Sequence, residues 1–330
     1  MNPKVSIVIP IYNVEPHIER CMHSLFQQSF EEIEYVIVND CSPDNSFAIA
    51  NEVIKLYPKR QKYTRILHNY KNKGVSASRN FGIDNCHGKY IIQIDSDDYV
   101  EVDMIEKMYK SAEKFCADIV VADSFEQWRN KHFYRKEIIP LSVHEYAKDM
   151  ITGKCIPAIW NKLIIASLFR ENNVRFPDGV NIGEDIATMP RLAYLAKKIV
   201  KIDNAFVHYV QYNKNSYSKN ISTKGISDLQ QDVKILLDFF EKQRDGELLN
   251  AIVIRKAITK CIVLINSSYK MQKKYYNLYP ESNKCIFMTN GLPLYYKSIT
   301  WLFSQEYILI ANILLSTVKF AKQLKAKLLG

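Results

Sequence analysis

The sequence lacks the cysteine pattern of a secreted or zinc-binding protein. Its seven cysteines are odd in number and widely scattered, and no Cys-x-x-Cys pair occurs among them. This pattern argues against a disulfide framework and against a zinc site, and it favours a reducing compartment. The chain also has no basic region followed by an apolar signal core, because Met1 leads directly into a strand-like run. We therefore expect a cytoplasmic protein.

Glycine-rich phosphate-binding loops are absent as well. A dinucleotide-binding domain needs Gly-x-Gly-x-x-Gly after its first strand, and residues 10–13 at that position contain no glycine. No Gly-Lys-Ser or Gly-Lys-Thr loop occurs, so neither a nicotinamide enzyme nor a P-loop enzyme is expected. The formal net charge is +10, but zinc-finger and RNA-recognition motifs are lacking, and we expect no nucleic acid partner. Anionic lipid and nucleotide phosphates remain as partners that suit this charge.

Long uninterrupted apolar runs are scarce too. Residues 301–320 are largely apolar, but polar residues interrupt them, and a membrane-spanning helix is therefore not expected. The end of the chain combines an apolar helical face with lysines, namely Phe320, Leu324 and Leu328 with Lys319, Lys322, Lys325 and Lys327. This pattern is typical of a helix on an anionic membrane surface, although a basic helix docked on the protein itself fits it equally well.

The sequence does contain a regular alternation of strand-like and helix-like segments. Apolar runs predict strands over residues 5–9, 35–38, 65–68, 90–94 and 118–122. Helical periodicity predicts helices between them, over residues 18–25, 47–57, 74–85 and 104–115. This rhythm predicts an α/β fold with a doubly wound sheet. From residue 225 the pattern is helical, with strong periodicity over residues 226–240 and 248–268.

A cluster of carboxylates follows the fourth predicted strand. Asp95, Asp97 and Asp98 occupy three of four consecutive positions. Open α/β sheets bind their ligands at the carboxyl ends of the strands, where these side chains should emerge together. Hard oxygen ligands at this density suit Mg²⁺ or Mn²⁺ carrying a phosphate group. A solvated acidic turn is the alternative, whereas a calcium loop would need an oxygen ligand and a glycine at the two positions that follow.

Four segments in order, joined by a fifth, resemble glycosyltransferase family 2 of the GT-A type. They are residues 5–13, 38–44, 72–80, 95–98 and 183–185. The resemblance covers roughly the first two thirds of the chain and implies a Rossmann-like, doubly wound mixed sheet of the nucleotide-diphospho-sugar transferase kind. We expect a glycosyltransferase domain over residues 1–224, with a donor half to residue 123 and an acceptor half from 124. Residues 225–330 are expected to form a helical C-terminal region.

The resemblance implies a nucleotide pocket built by the first two strands. Asp40 is expected to accept a hydrogen bond from the base, usually uracil, while Pro10 and Tyr12 line the same pocket. Arg79 lies early in a predicted helix, where its guanidinium suits a diphosphate. Ordinary packing for Tyr12, a turn-forming role for Asp40 and a surface salt bridge for Arg79 are the alternatives. Cys41 departs from the glycine usual at its position, which costs stability if the backbone there has φ > 0.

The resemblance also implies a metal site for Mn²⁺ or Mg²⁺. Asp97 is expected to bind the metal directly, and Asp95 to contact the ribose or the metal. Ser96 is expected to contact the nucleotide-sugar. His208 matches the place where some family members carry a third metal-ligating histidine, although a strand histidine packed against the core is the alternative. Val210 replaces the arginine common after the following tyrosine, which weakens that motif.

The acceptor side is expected to carry the catalytic base. In the family the second acid of the Glu184-Asp185 pair, here Asp185, takes the proton of the acceptor hydroxyl. A single carboxylate opposite the leaving group fits a one-step displacement with inversion. Acids at a helix start that favour its dipole are the alternative. Trp160, Lys162 and Glu184 are expected on the acceptor side, with a core tryptophan as the alternative for Trp160.

These observations together predict an inverting glycosyltransferase. It would move a sugar from a nucleotide-diphospho-sugar, most simply a UDP-sugar, to a glycan or lipid-linked oligosaccharide hydroxyl in capsule, O-antigen or exopolysaccharide synthesis. Such a protein would lie in the cytoplasm or on the inner face of the cell membrane. A non-catalytic nucleotide- or glycan-binding member is one alternative. A sugar-nucleotide pyrophosphorylase is another, but it needs a glycine-rich basic loop near its first strand, and none is present.

Overall fold

The structure is a computed structural model that describes residues 3–213 and 222–329, without the side chains of residues 323–329. The chain divides into two compact units. The first comprises Met1–Ala147 and Cys155–Lys219, and the second comprises Lys148–Lys154 and Asn220–Gly330.

The first unit is built on one mixed sheet. Its strands within the described residues are β1 Val5–Ile11, β2 Ile33–Asn39, β3 Thr64–His68, β4 Tyr90–Gln93, β5 Tyr99–Val100, β6 Ile119–Gln127, β7 His132–Arg135, β8 Lys162–Ile165 and β9 Ile199–Val210. The order across the sheet is β3-β2-β1-β4-β8-β6-β9-β5, with β7 paired to β6. All seven residues of β1 are buried, as expected for a central strand covered on both faces.

Strand direction divides this sheet. The strands β1, β2, β3 and β4 are mutually parallel where they pair, and β6 is parallel to β9. In contrast, β8 runs antiparallel to β4 and β6, and β5 runs antiparallel to β9. The carboxyl ends of β1, β2 and β4 therefore emerge at one edge, where the turns after them carry the predicted nucleotide and metal residues. The predicted α/β fold with a mixed sheet is confirmed.

Helices pack against the sheet of the first unit. The described helices of this part of the chain are α1 Glu15–Phe26, α2 Ser46–Lys55, α3 Pro58–Gln61, α4 Val75–Asp84, α5 Met104–Phe115, α6 Val143–Thr152, α7 Ala166–Glu171 and α8 Glu184–Leu195, and residues 148–152 of α6 belong to the second unit. In α1 the apolar residues at helical spacing, Ile18, Cys21, Met22 and Leu25, are all buried. They pack in the same core as β1 and β2. The helical spacing of apolar residues in the sequence therefore corresponds to the buried face of α1.

The second unit is helical. It contains α9 Thr223–Gln243, α10 Gly246–Asn266, α11 Tyr269–Tyr275, a 3-10 helix Pro280–Met288, α12 Leu294–Ser304 and α13 Ile308–Leu329. Its core includes Cys261, Leu264 and Phe303. The apolar stretch 301–320 is broken between α12 and α13, where Glu306 has φ 66°. Within the described residues, no helix is long and apolar enough to cross a membrane.

Candidate active site

A cleft of ≈ 550 Å³ lies at the carboxyl edge of the sheet in the first unit. Ten sequence-predicted site residues line it: Pro10, Tyr12, Asp40, Arg79, Asp95, Ser96, Asp97, Trp160, Glu184 and Asp185. Backbone hydrogen bonds between neighbouring strands bring the turns after these strands together. The Asp40 amide donates to the Ile11 carbonyl oxygen at 3.0 Å. The Ile94 amide likewise donates to the Val8 carbonyl oxygen at 3.0 Å. Segments far apart in sequence therefore form one wall.

Asp40 is a buried carboxylate that organises the neighbouring loop. Its Oδ1 accepts hydrogen bonds from Asn69 Nδ2 at 2.8 Å and the Lys73 amide at 2.9 Å, and its Oδ2 accepts from the Gly74 amide at 2.8 Å. Since a carboxylate accepts about four hydrogen bonds, this leaves room for one more donor, such as a base N–H. Cys41 follows with φ 57°, a backbone conformation that favours glycine, so the expected strain at this position is present.

The turn that carries Tyr12 is tied to the turn after β2. The Asn13 amide donates to Ser42 Oγ at 2.8 Å, and Ser42 Oγ donates to Asp44 Oδ1 at 2.7 Å. Asp44 Oδ2 also accepts from the Glu15 amide at the start of α1, at 3.0 Å. Tyr12 itself is half-buried on the cleft wall. These bonds fix the opening between Tyr12 and Asp40 through the backbone.

Arg79 lies at the centre of the carboxylates in the cleft. It forms salt bridges, as the alternative expected, but its side chain is only 2% exposed, so they are buried and not at the surface. Nη2 donates to Asp95 Oδ1 at 2.7 Å, and Nη1 donates to Glu184 Oε1 at 2.7 Å and Asp185 Oδ1 at 3.0 Å. Burial alone would lower the pKa of Arg79, but the charges of these three carboxylates outweigh it and raise the pKa. Arg79 thus connects Asp95 with the neighbouring acids Glu184 and Asp185.

The acid pair begins helix α8, directly after Gly183 with φ 92°. Asp185 Oδ2 accepts the Ile159 amide at 3.1 Å, while its side chain is 19% exposed towards the cleft. Burial raises the pKa of Asp185, and the Arg79 charge opposes that rise. Burial and then the Asp185 charge raise the pKa of Glu184 to about 7. The arrangement provides a fixed carboxylate with increased proton affinity at the cleft surface.

Lys162 lies in the core and contacts the loop that carries Trp160. It is fully buried in β8 and does not line the cleft. Its Nζ donates to the Ala158 carbonyl oxygen at 2.6 Å and to Asn161 Oδ1 at 2.8 Å. Burial lowers the pKa of Lys162, against the charges of Glu137 and Asp185. The structure therefore gives Lys162 a place that holds the loop before β8, instead of the expected place on the acceptor surface.

Trp160 is part of that loop and belongs to both the core and the cleft. It is 5% exposed, and its ring stacks on Tyr209 with centroids 5.1 Å apart. Both rings line the cleft. The core alternative describes the packing of Trp160, and its role on the acceptor side stays a prediction.

Asp95 and Asp97 present oxygen ligands to the cleft. Asp97 Oδ2 accepts a hydrogen bond from Asn213 Nδ2 at 2.7 Å, and Asp95 Oδ1 is held by Arg79. The described residues contain no cluster of three or more His, Cys, Asp or Glu side chains able to hold a metal. Two carboxylates nevertheless fit Mg²⁺ or Mn²⁺, since such ions take one or two protein carboxylates and complete their shell with phosphate oxygens and water.

Asp98 faces away from this group. It is fully buried, does not line the cleft, and accepts the Val210 amide on Oδ1 at 2.8 Å. Burial, followed by the charges of Asp97 and Asp95, raises the pKa of Asp98 well above its usual range. The three acids expected to emerge together therefore separate into two cleft residues and one structural residue.

His208 is held in a different place. Its ring lies between Tyr99, with centroids 4.2 Å apart, and Phe125, with centroids 4.7 Å apart. Nε2 lies 2.7 Å from Glu101 Oε1, and burial lowers the pKa of His208 against the effect of that hydrogen bond. His208 does not line the cleft. The alternative of a strand histidine packed against its neighbours describes this geometry, and we leave His208 out of the proposed metal site.

Asn213 is a polar cleft residue that sequence reasoning missed. It comes three positions after the end of β9 and contacts Asp97 from there. No motif marks it. The sheet topology is what brings Asn213 to the cleft. Strand β9 runs parallel to β6 in the sheet whose carboxyl edge holds the cleft, so polar residues that follow β9 lie near the site.

Known proteins resemble this chain in sequence and in fold. The sequence profile described as Glycosyl transferase family 2 matches residues 6–179. A protein of Bacillus subtilis (strain 168) described as an uncharacterized glycosyltransferase, EpsJ, is 32% identical over 226 residues. That match covers 66% of this chain and 64% of the relative, so the shared region is less than two thirds of the relative's own length.

Solved structures share the fold. Residues 1–349 of TarS from S. aureus, in complex with UDP-GlcNAc, match with a TM-score of 0.72 at 17% identity, over 96% of this chain and 92% of that chain. The mannosyltransferase PcManGT from Pyrobaculum calidifontis, in complex with GDP-Man and Mn2+, matches with a TM-score of 0.52 at 14% identity, over 95% and 87%. The expected GT-A fold with a helical C-terminal region is confirmed.

Proposed function

Because this chain belongs to glycosyl transferase family 2, we propose that it transfers a sugar from a UDP-sugar to an acceptor hydroxyl with inversion at the sugar carbon. The observation that carries this proposal is the single cleft in which Arg79 connects Asp95 on the donor side with Asp185 on the acceptor side. The sugar donor and the acceptor hydroxyl need to meet within a few ångströms of one sugar carbon. A cleft lined by residues for both substrates would let them meet.

The donor side would bind the nucleotide through existing contacts. Tyr12 offers a ring face at the cleft wall, and Asp40 keeps one acceptor position for a base N–H. The similar fold of TarS, solved with UDP-GlcNAc, supports a UDP-sugar as donor. A divalent ion, Mn²⁺ or Mg²⁺, held by Asp97 and Asp95 would neutralise the charge that develops on the departing diphosphate.

Asp185 is proposed as the base. Each of its oxygens accepts one hydrogen bond and keeps a second lone pair, which would accept the proton of the acceptor hydroxyl while that hydroxyl oxygen forms a bond to the sugar carbon. The bond from that carbon to the diphosphate oxygen breaks in the same step, and its electron pair leaves with UDP. Hydrogen bonds from Arg79 and the Ile159 amide hold the carboxylate in place during the transfer. One carboxylate and one displacement give inversion.

The acceptor is proposed to be a glycan or a lipid-linked oligosaccharide of cell-surface polysaccharide synthesis. Trp160 and Tyr209 contribute aromatic edges to the cleft wall, which suits the apolar face of a sugar ring. A lipid-linked acceptor would place the reaction beside a membrane. We therefore propose a peripheral location on the inner face of the cell membrane.

Calorimetric titration with UDP, GDP and dTDP, each with and without Mn²⁺, tests the donor site. We expect Mn²⁺-dependent binding with a preference for UDP, and loss of that Mn²⁺ dependence in Asp97→Ala. Asp238→Ala is the matched control, because Asp238 is an exposed acid of α9 in the second unit. Absence of nucleotide binding under every condition, or Asp97→Ala indistinguishable from the control, would refute the assignment.

A further inference from the structure

Helix α13 of the second unit is apolar on its solvent side as well as on its core side. Ala311 and Leu315 are buried in the core of the unit. Five other apolar side chains are exposed: Leu309 63%, Ile310 52%, Ile313 57%, Leu314 44% and Phe320 66%. A helix on the surface of a water-soluble domain normally carries polar residues on its solvent side. The exposed side of α13 therefore has the composition of a contact surface.

These five side chains share one helix face, here named the α13 stripe. Leu309 and Ile313 are four residues apart, as are Ile310 and Leu314, and Phe320 follows Ile313 by seven. The stripe thus runs along more than two turns. Tyr307, directly before the helix, is 54% exposed, and Trp301 of α12 is 41% exposed. Tyrosine and tryptophan are the side chains that favour the boundary between apolar and aqueous phases.

The surroundings of the stripe are positively charged. Residues 294–330 contain one acidic residue, Glu306, and five lysines: Lys297, Lys319, Lys322, Lys325 and Lys327. Lys319 and Lys322 are exposed on α13. Lys322 Nζ donates to the hydroxyl of Tyr296 in α12 at 3.0 Å, which fixes the ammonium beside this pair of helices. Lys319 and Lys322 follow the buried Leu315 by four and seven residues, so they lie on the side of α13 away from the stripe. A helix with one apolar face and lysines on the other is the pattern of a helix that lies on an anionic membrane surface.

We propose that the α13 stripe lies in the interfacial layer of a membrane that contains anionic lipids. Leu309, Ile313 and their neighbours on the stripe would enter the acyl boundary, while the positive charge of Lys319 and Lys322 on the other side of the helix would attract anionic headgroups. A second copy of the chain is a poorer occupant, because a twofold contact would bring two copies of the positively charged segment 294–330 together. This surface belongs to the second unit, and its assignment does not depend on sugar transfer.

Vesicle flotation of the 330-residue chain tests the proposal. We expect binding to vesicles of phosphatidylglycerol mixed with phosphatidylcholine, weaker binding to phosphatidylcholine alone, and release at high salt. Leu309→Glu should lower the vesicle-bound fraction about 10-fold or more, because an apolar contact is replaced by a charge that anionic headgroups repel. Leu56→Glu is the matched control, since Leu56 is a leucine of the first unit with similar exposure, 67%. Binding of the control should equal that of the wild type.

The lysines are tested separately from the stripe. Lys319→Glu should weaken binding to anionic vesicles several-fold and leave binding to phosphatidylcholine vesicles unchanged. Lys59→Glu in the first unit should change neither. Circular dichroism on heating checks that the variants fold, and Ile313→Ser repeats the test of the stripe with a milder change.

Three results would overturn the proposal. Failure of the wild type to bind anionic vesicles is the first. Equal vesicle binding by Leu309→Glu and Leu56→Glu is the second. The third is a wild-type dimer in sedimentation velocity that Leu309→Glu dissociates while vesicle binding stays constant, which would assign the stripe to a second copy. Nucleotide titration of the same variants separates this result from the donor site, because a defect confined to the stripe leaves UDP affinity unchanged.

Discussion

The two units of the chain differ in the kind of side-chain cluster to which we assign a ligand. In the first unit a cation and several carboxylates are withdrawn from water, with Arg79 only 2% exposed among three acids. In the second unit large apolar side chains face water, with Leu309 63% exposed. Buried charge is costly unless it is paired, and exposed apolar surface is unusual unless it is used. Each unit therefore departs from ordinary burial at the place to which we assign a ligand.

The largest effect is expected from the proposed base. Asp185→Asn removes the proton acceptor and keeps the shape of the side chain, so kcat should fall about 10²–10⁴-fold. UDP affinity should stay close to that of the wild type. UDP release from a UDP-sugar, with an acceptor found by screening, measures the rate, and Asp178→Asn is the control because Asp178 is an exposed acid outside the cleft. Full activity of Asp185→Asn would remove Asp185 from the mechanism.

Loss of the buried cation should have the next largest effect. Arg79→Ala leaves Asp95, Glu184 and Asp185 without their shared partner, and breaking such a buried pair typically costs about 3–5 kcal/mol. Urea denaturation measures the free energy of unfolding. Arg135→Ala breaks the partly exposed pair with Glu126 and should cost only about 0–1 kcal/mol. Equal losses of unfolding free energy in Arg79→Ala and Arg135→Ala would mean that burial does not make the ion pairs of Arg79 more important for stability.

The acid pair predicts a pH dependence of stability. The folded state raises the pKa of Glu184 to about 7, above its ordinary value of 4.5. Because the folded state binds this proton more tightly, Glu184 favours folding when the pH is below its pKa in the unfolded chain. This stabilisation is lost as the pH rises through about 7, the pKa in the folded state. The wild type should therefore lose stability between acidic and neutral pH relative to Glu184→Gln, in which the group does not titrate. Urea denaturation across that range measures the difference, and parallel curves for the two proteins would contradict it.

The smallest effect on stability is expected in the second unit. Leu309→Glu replaces an exposed side chain, so the free energy of unfolding should stay within about 0.5 kcal/mol of the wild type. The same urea denaturation applies. A loss as large as that of Arg79→Ala would show that Leu309 is part of a packed core, and the contrast between the two units would fail.

Local patterns predicted much of the fold. Helix α5 occupies residues 104–115 as the periodicity indicated, because its buried residues Met104, Ile105, Met108 and Ala112 repeat at helical spacing. The cleft was also predictable in outline, since turns that follow parallel strands converge at one edge of a sheet. The break between α12 and α13 was marked in the sequence by polar residues, although the apolar stretch around it hid two separate helices.

Burial of individual polar residues was not predictable, because it depends on strands that meet only in the folded sheet. His208 pairs with Tyr99 across β9 and β5, and that pairing places its ring beside Tyr99 and away from the cleft. Lys162 is buried because β8 lies between β4 and β6. Arg79 resembled a free phosphate ligand in the sequence, whereas its neighbours Glu184 and Asp185 come from a helix more than one hundred residues later.

A crystal structure of this chain with UDP and Mn²⁺ tests the central claim most directly. We expect the uracil between Tyr12 and Asp40, the metal on Asp97 and Asp95, and the diphosphate on the same side of Arg79 as Asp95, opposite Asp185. UDP bound at any other place, or a metal held by residues outside this cleft, would contradict it.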